Sequence, residues 1–205
     1  MEFDKIKNKG QARLFKNDYM EMMTKTHPVV IYCMYFPVIF FMLYYGTAHK
    51  EIPIGTEALV FAGGILFWSI FEYFMHRYLF HMIVESPRAT RFIYTLHGVH
   101  HEYPRDKERL FMPPVPSLIV ACVIFSLMYY ATGWYALSFF PGFLLGYILY
   151  GSMHYAIHAF APPRFLKALW RNHHLHHYKA PQKGFGVSSV LWDVVFQTVP
   201  KKDEA

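Results

Sequence analysis

Cysteine is nearly missing from the 205 residues: only Cys33 and Cys122 occur, each inside an apolar run. Two isolated thiols cannot make a disulfide scaffold or a zinc ribbon, and both read as small buried side chains. Charge is scarce as well. Asp, Glu, Lys and Arg make up 17% of the chain against 54% hydrophobic residues, including 20 Phe and 16 Tyr. An ordinary soluble domain carries about 25% charged residues, so lipid is the expected solvent. The net charge of +6 is not gathered into a stripe of cations interleaved with exposed aromatics, which speaks against a nucleic-acid surface. No small-residue cleavage site follows the polar N-terminal stretch, so no signal peptide is read there. Internal repeats and low-complexity segments are absent too, and the length is that of one domain.

Four apolar runs are present, at 29–45, 54–75, 115–131 and 134–153. Each is long enough to cross the hydrocarbon core as a helix, which needs roughly 17 to 25 residues. The stretch 46–53 joins the first two, and little more than Thr132-Gly133 joins the last two. The expectation is therefore an all-α integral membrane fold of four transmembrane helices in two hairpins, with a cytoplasmic helical cap. It is read as a single domain, 1–205. Residues 1–27 lie on the membrane surface, about 29–153 hold the spans together with a cytosolic loop 76–114, and 154–205 form the cap.

Six Lys or Arg precede the first run, six lie between His76 and Pro114, and seven follow His154; only Lys50 falls in a hairpin tip. By the positive-inside rule both termini and the cap are cytoplasmic. A bacterial cytoplasmic membrane and the endoplasmic reticulum are both compatible with this.

Eleven of the 13 histidines fall in four short groups: His76 with His81, His97 with His100 and His101, His154 with His158, and His173 with His174, His176 and His177. Residues three and four apart share a helix face, so His97/His100/His101, His154/His158 and His173/His176/His177 can each converge. His76 and His81 differ, because five residues turn a regular helix by about 140°. Either the helix unwinds there or the two bind different ions, and the second is favoured. Leaving out His174, which lies between ligands, ten imidazoles exceed what one tetrahedral or octahedral ion uses. The count predicts two ions with about five nitrogens each. Imidazole suits zinc, copper, iron and nickel, whereas a structural zinc site normally closes at four ligands and often includes Cys. His27 and His49 read as ordinary residues. Glu72, one turn before His76, and Asp193, within the apolar stretch Val190 to Val195, are the carboxylates placed to orient ligating imidazoles.

At these groups the chain resembles the fatty acid hydroxylase superfamily of membrane di-iron enzymes, from about Phe71 to Pro200. Phe71-Glu-Tyr-Phe-Met-His-Arg, His97-Gly-Val-His-His-Glu-Tyr-Pro, Leu110-Phe-Met-Pro-Pro and Gly184-Phe-Gly-Val-Ser-Ser-Val-Leu-Trp-Asp look like its fatty acid 2-hydroxylase branch. The resemblance implies that His76, His81, His97, His100, His101, His154, His158, His173, His176 and His177 ligate two iron ions that activate dioxygen. The reaction implied is hydroxylation at C2 of a fatty acid or of the N-acyl chain of a sphingolipid. Zinc could occupy the same nitrogens in a purified sample but has no redox chemistry. Arg105, Lys107 and Arg109 could anchor a polar head, while Tyr150 and Tyr155 flank the third group and could line the substrate entrance.

Related hydroxylases often fuse a haem-binding cytochrome b5 domain marked by His-Pro-Gly-Gly. Here the one His-Pro, His27-Pro28, is followed by valines, so a separate electron donor such as cytochrome b5 or a ferredoxin is expected. Eukaryotic members also tend to carry an acidic residue where this chain has Gly151, so that head-group contact is not carried over. A sterol or carotenoid oxygenase or a desaturase of the same superfamily would use the same ligands. A membrane metal transporter or bis-haem cytochrome is the non-enzyme alternative, but transporters place ligands near the midplane of the bilayer. Here they gather at one interface.

Overall fold

The computed structural model describes residues 6–201, so residues 1–5 and 202–205, with the Lys5 and Lys202 of the charge count, lie outside it. Every regular element among the described residues is helical. In order these are α1 (Asp18–Met22), α2 (Pro28–Lys50), α3 (Ile54–Phe74), α4 (Pro87–Ile93), α5 (Val99–Glu102), α6 (Pro114–Thr132), α7 (Ala136–Ala159), α8 (Lys167–Tyr178) and α9 (Leu191–Val195). Two π-helical turns, Met75–Phe80 and Tyr94–Gly98, continue α3 and link α4 to α5.

Helices form along the apolar runs because a chain in lipid must satisfy its backbone groups internally. Pro28 occupies the first turn of α2, where a missing N–H costs nothing, and the His27 ring accepts the Val29 N–H at 3.3 Å. His27 is therefore a cap. Three stretches are long and apolar enough to cross a membrane: Pro28–Lys50, Ile54–Phe80 and Lys107–Ala159. The last contains both α6 and α7, folded back on each other at Gly133, whose φ of 59° suits glycine. Ring pairs on either side of the turn, Phe125 with Phe140 and Tyr129 with Trp134, each at 5.3 Å, run antiparallel.

Helix α7 is the centre of the bundle. Its Phe140, Phe143, Leu144 and Ile148 are buried against Ile31, Tyr35, Ile39 and Met42 of α2. Against α3 it packs glycine on glycine: a Cβ on Gly64 would lie 2.1 Å from the Phe139 carbonyl, and one on Gly142 would lie 2.0 Å from that of Phe61. Small residues let helix backbones approach this closely, the contact that holds helices together in lipid. Outward faces stay apolar, with Phe40, Phe41, Leu59, Leu66, Leu127 and Tyr130 exposed. Cys33 and Cys122 are on these outer faces too, which corrects the expectation that they are buried. Both lie on strips of helix that no other element covers.

The helices outrun the apolar runs at the end that carries the histidines. Helix α7 continues to Ala159 and so takes His154 and His158 into its last two turns. The second histidine group, expected in a loop, lies on the π turn Tyr94–Gly98 and α5. Helices α5 and α8 meet α3 and α7 here, with His76 against His97 and His176, and His154 against His100 and His173. The N-terminal segment is stitched to the 102–109 loop. Lys7 pairs with Glu102 at 2.6 Å, and the Thr26 N–H donates to the Glu108 carbonyl at 2.9 Å.

Candidate metal centre

The ten histidines of the four groups form two sets of five. His76, His81, His97, His101 and His176 make one, and His100, His154, His158, His173 and His177 the other; within each, one ring nitrogen per residue lies within 4.8 Å of the others. His174 belongs to neither set, and its ring centroid is 6.4 Å from that of His158.

Helix geometry explains the division. His76 and His81 face the same point, which corrects the expectation that they serve different ions. The π turn closes with a bond from the His81 N–H to the His76 carbonyl at 3.3 Å, and such five-residue bonding stacks residues that an α-helix would turn apart. The two H-x2-HH groups do not converge as units, contrary to the spacing argument. In each, the residues four apart stay together, His97 with His101 and His173 with His177. The third member, His100 or His176, points into the other set, because consecutive helical residues diverge by about 100°. Each double histidine thus bridges the two sets, and the rings of His101 and His177 stack at 4.2 Å.

Protons alone do not satisfy these contacts. His76 donates Nδ1–H to the Phe185 carbonyl at 2.6 Å and His176 donates Nδ1–H to the Lys183 carbonyl at 2.7 Å, so a neutral ring at either place has a bare Nε2. The Nε2 atoms then run in a chain, His76 to His97 at 3.0 Å, His97 to His101 at 3.0 Å and His101 to His176 at 3.2 Å. If His97 and His101 each donate outward, their own contact sets hydrogen against hydrogen. His81 lies beside this chain, its two ring nitrogens buried and without a protein partner among the described residues. Converging lone pairs and an orphaned imidazole are what a bound cation would satisfy.

In the second set the Nε2 of His154 is 2.9 Å from that of His100, and that of His173 lies 2.9 Å from His158 and 3.1 Å from His177. Burial holds His97, His100, His101, His173, His176 and His177 well below the ordinary imidazole pKa, and neighbouring rings add to it. They are neutral at physiological pH, the form that binds metal.

Two buried carboxylates hold the loop that orients His76. Asp193 accepts the backbone N–H groups of Phe185 at 2.9 Å and Gly186 at 2.8 Å; Glu72 accepts those of Val187 and Ser188, both at 2.8 Å. Thr198 and Asn172 also donate to Asp193, and Trp68 and the Ser188 hydroxyl to Glu72. Glu72 therefore reaches His76 through the loop and not directly, as the spacing had suggested. The carbonyls of Lys183 and Phe185 had no signature among polar side chains. Their trace in the sequence is the pair Gly184 and Gly186: Gly184 has a φ of 72°, and a Cβ on Gly186 would lie 2.1 Å from the Ser189 carbonyl.

Residues 61–198, more than half of the chain, match the model of the fatty acid hydroxylase family. The chain belongs to that family. It is 37% identical over 191 residues to a dihydroceramide fatty acyl 2-hydroxylase of Arabidopsis thaliana, covering 92% of this chain and 80% of that protein. With a ceramide very long chain fatty acid hydroxylase of Saccharomyces cerevisiae the identity is 38% over 194 residues, 93% of this chain and 50% of the yeast protein. A solved structure of full-length scs7p, in which only the hydroxylase domain is visible, superposes with a TM-score of 0.88 at 36% identity, over 95% of this chain and 74% of that one.

Within this hydroxylase fold the candidate substrate contacts separate. The Tyr150 ring stacks on that of His154 at 5.7 Å, whereas Tyr155 faces Phe160 at 6.3 Å. Arg105 lines an open cavity that reaches His158. Arg109 is corrected as a head-group anchor: only 3% exposed, it pairs with Glu21 and, at 2.5 Å, with Asp106. At Gly151 the space an acidic side chain would need is filled by Phe111, whose ring would lie 2.1 Å from a Cβ at that position.

Proposed function

We propose that this hydroxylase inserts one oxygen atom from dioxygen at C2 of an acyl chain, either a free fatty acid or the N-acyl chain of a ceramide. The observation that carries the reading is the pair of neutral histidine quintets in a chain of this family. Each quintet would hold one iron ion. Iron supplies the redox chemistry of oxygen activation, which zinc on the same nitrogens lacks.

The residues around the quintets act on geometry and water. His76 and His176 are locked by backbone carbonyls, which keeps their Nε2 lone pairs aimed inward. His81, His97 and His101 complete the first set, and His100, His154, His158, His173 and His177 the second. Tyr150, on α7, stands between the second set and Trp68 of α3, its ring stacked on that of His154. Choosing C2 among many similar methylenes is a matter of positioning. The head is held near Tyr150, on the buried side of the second set, and the tail lies among the apolar side chains below.

The membrane topology follows the same reading. The 53 residues of Lys107–Ala159 would extend about 80 Å as one helix, far beyond a hydrocarbon core of about 30 Å. The turn at Gly133 supports reading α6 and α7 as separate spans, four in all, and the lysines and arginines gathered beside the quintets support a cytoplasmic position for that end. Two electrons per turnover come from a separate donor protein, and the membrane is that of a bacterial cell or the endoplasmic reticulum.

A substrate carrying two deuterium atoms at C2 tests the position of attack. The expected product is a hydroxylated chain with one deuterium left at C2; a hydroxylated product that retains both places the reaction elsewhere and overturns the assignment.

A further inference from the structure

Nine of the ten quintet histidines are buried, and His158 is the exception. It lies in the wall of an open cavity of about 650 Å³ whose rim includes Arg105, Lys107, His174 and Tyr178. Helix α8 prolongs that rim. Lys167, Arg171, His174 and Tyr178 are spaced four, three and four residues apart and so share one face, and Lys167 and Arg171 are exposed.

The charges on this rim are not spent on each other. Neither Arg105 nor Lys107, Lys167 or Arg171 is in an ion pair among the described residues, while the carboxylates of the adjoining loop are taken: Glu102 by Lys7, Asp106 by Arg109 and Glu108 by Lys25. A cationic field therefore surrounds the one quintet ring that connects with the outside. Like charges gathered around a cleft focus the field and speed the arrival of a partner of opposite sign.

We propose that this rim is the docking surface of an acidic one-electron carrier protein, which passes electrons to the metal pair through His158. The inference rests on the hydroxylase reading above. Electron tunnelling weakens steeply with distance, and among the quintet rings His158 offers the shortest path from solvent. In each turnover two reduced carriers give up one electron each and solvent supplies two protons. One oxygen atom enters the C–H bond and the other leaves as water.

The probe is reduced cytochrome b5, mixed without oxygen with the iron-loaded full chain in detergent, and its reoxidation rate is followed at rising salt. The expected second-order rate falls at least about ten-fold between low and physiological ionic strength. The double variant Lys107→Glu/Arg171→Glu lowers it about ten-fold or more at low salt, while Arg88→Glu/Arg91→Glu, exposed on α4, changes it less than about two-fold. A wild-type rate indifferent to salt, or a rim variant as fast as wild type, overturns the proposal. So does a rim variant that raises the KM for lipid and leaves reoxidation alone, which would give the cavity to an anionic head group. Failure of the hydroxylase reading itself looks different: the iron-loaded chain would then reoxidise the carrier in a salt-dependent way yet form no hydroxylated lipid once dioxygen is admitted.

Discussion

His76 donates its Nδ1 hydrogen to the carbonyl of Phe185 across 2.6 Å, and that carbonyl is held in place by two carboxylates from opposite ends of the family's matched region. Glu72 and Asp193 between them accept the four consecutive N–H groups of Phe185 to Ser188. Glu72→Gln keeps the shape but replaces one accepting oxygen with a donor that faces donors. The expected cost is about 1–3 kcal/mol of stability, and metal affinity about 10–100-fold weaker because His76 loses its fixed tautomer and orientation. Thermal unfolding in detergent and metal titration measure the two effects; unchanged metal affinity would separate the loop from the centre.

His81 and His174 differ in place although both stand in histidine-rich segments. His81 lies in the first quintet, where neither of its ring nitrogens has a hydrogen-bond partner among the described residues, and His174 lies in neither quintet. His81→Ala is expected to lower bound metal from two ions per chain toward one, and His174→Ala to leave both. Elemental analysis after extensive dialysis reads the difference. Metal lost from the second variant and kept in the first would refute the division of ligands.

Arg109 is tied to Glu21 and Asp106 and is nearly fully buried. Removing one partner of a buried pair strands the others, so Arg109→Ala should destabilise by about 3–5 kcal/mol. Its KM for lipid should be unchanged in whatever fraction folds. A raised KM at unchanged stability would restore Arg109 to the substrate site.

Acid should unfold the metal-free protein. His97, His100, His101, His173, His176 and His177 are held well below their ordinary value of 6.5 by burial, so below about pH 6.5 the unfolded chain binds more protons than the folded one. Stability is complete above that pH and falls as pH drops through it. Melting temperatures of the metal-free chain at about pH 7.5 and about pH 5 should differ clearly, the acidic one lower. A flat profile would contradict the buried, neutral centre.

The helices and the ten histidines were legible because each rests on local spacing. Apolar runs of spanning length, and His154 with His158 four apart, require only one helix to be right. What was not legible depends on contacts distant in the chain. The π turn that brings His76 and His81 to one point has no marker in its own six residues. The splitting of each H-x2-HH group follows from where α5 and α8 sit relative to α3 and α7. Arg109 looked free because its partner Glu21 lies 88 residues away. Glu72 was singled out as a direct partner of His76, yet it accepts backbone N–H groups 115 and 116 residues on, which side-chain chemistry does not reveal.

The central claim, that paired histidine quintets in this fold carry oxygen insertion into a lipid, is tested most directly by supplying the iron-reconstituted chain with an electron donor, a ceramide or fatty acid, and isotopically labelled dioxygen. The expected result is a 2-hydroxylated product carrying one labelled oxygen atom in the new hydroxyl. No labelled hydroxylated product from any lipid class tried, with both iron sites filled and reduced, would contradict it.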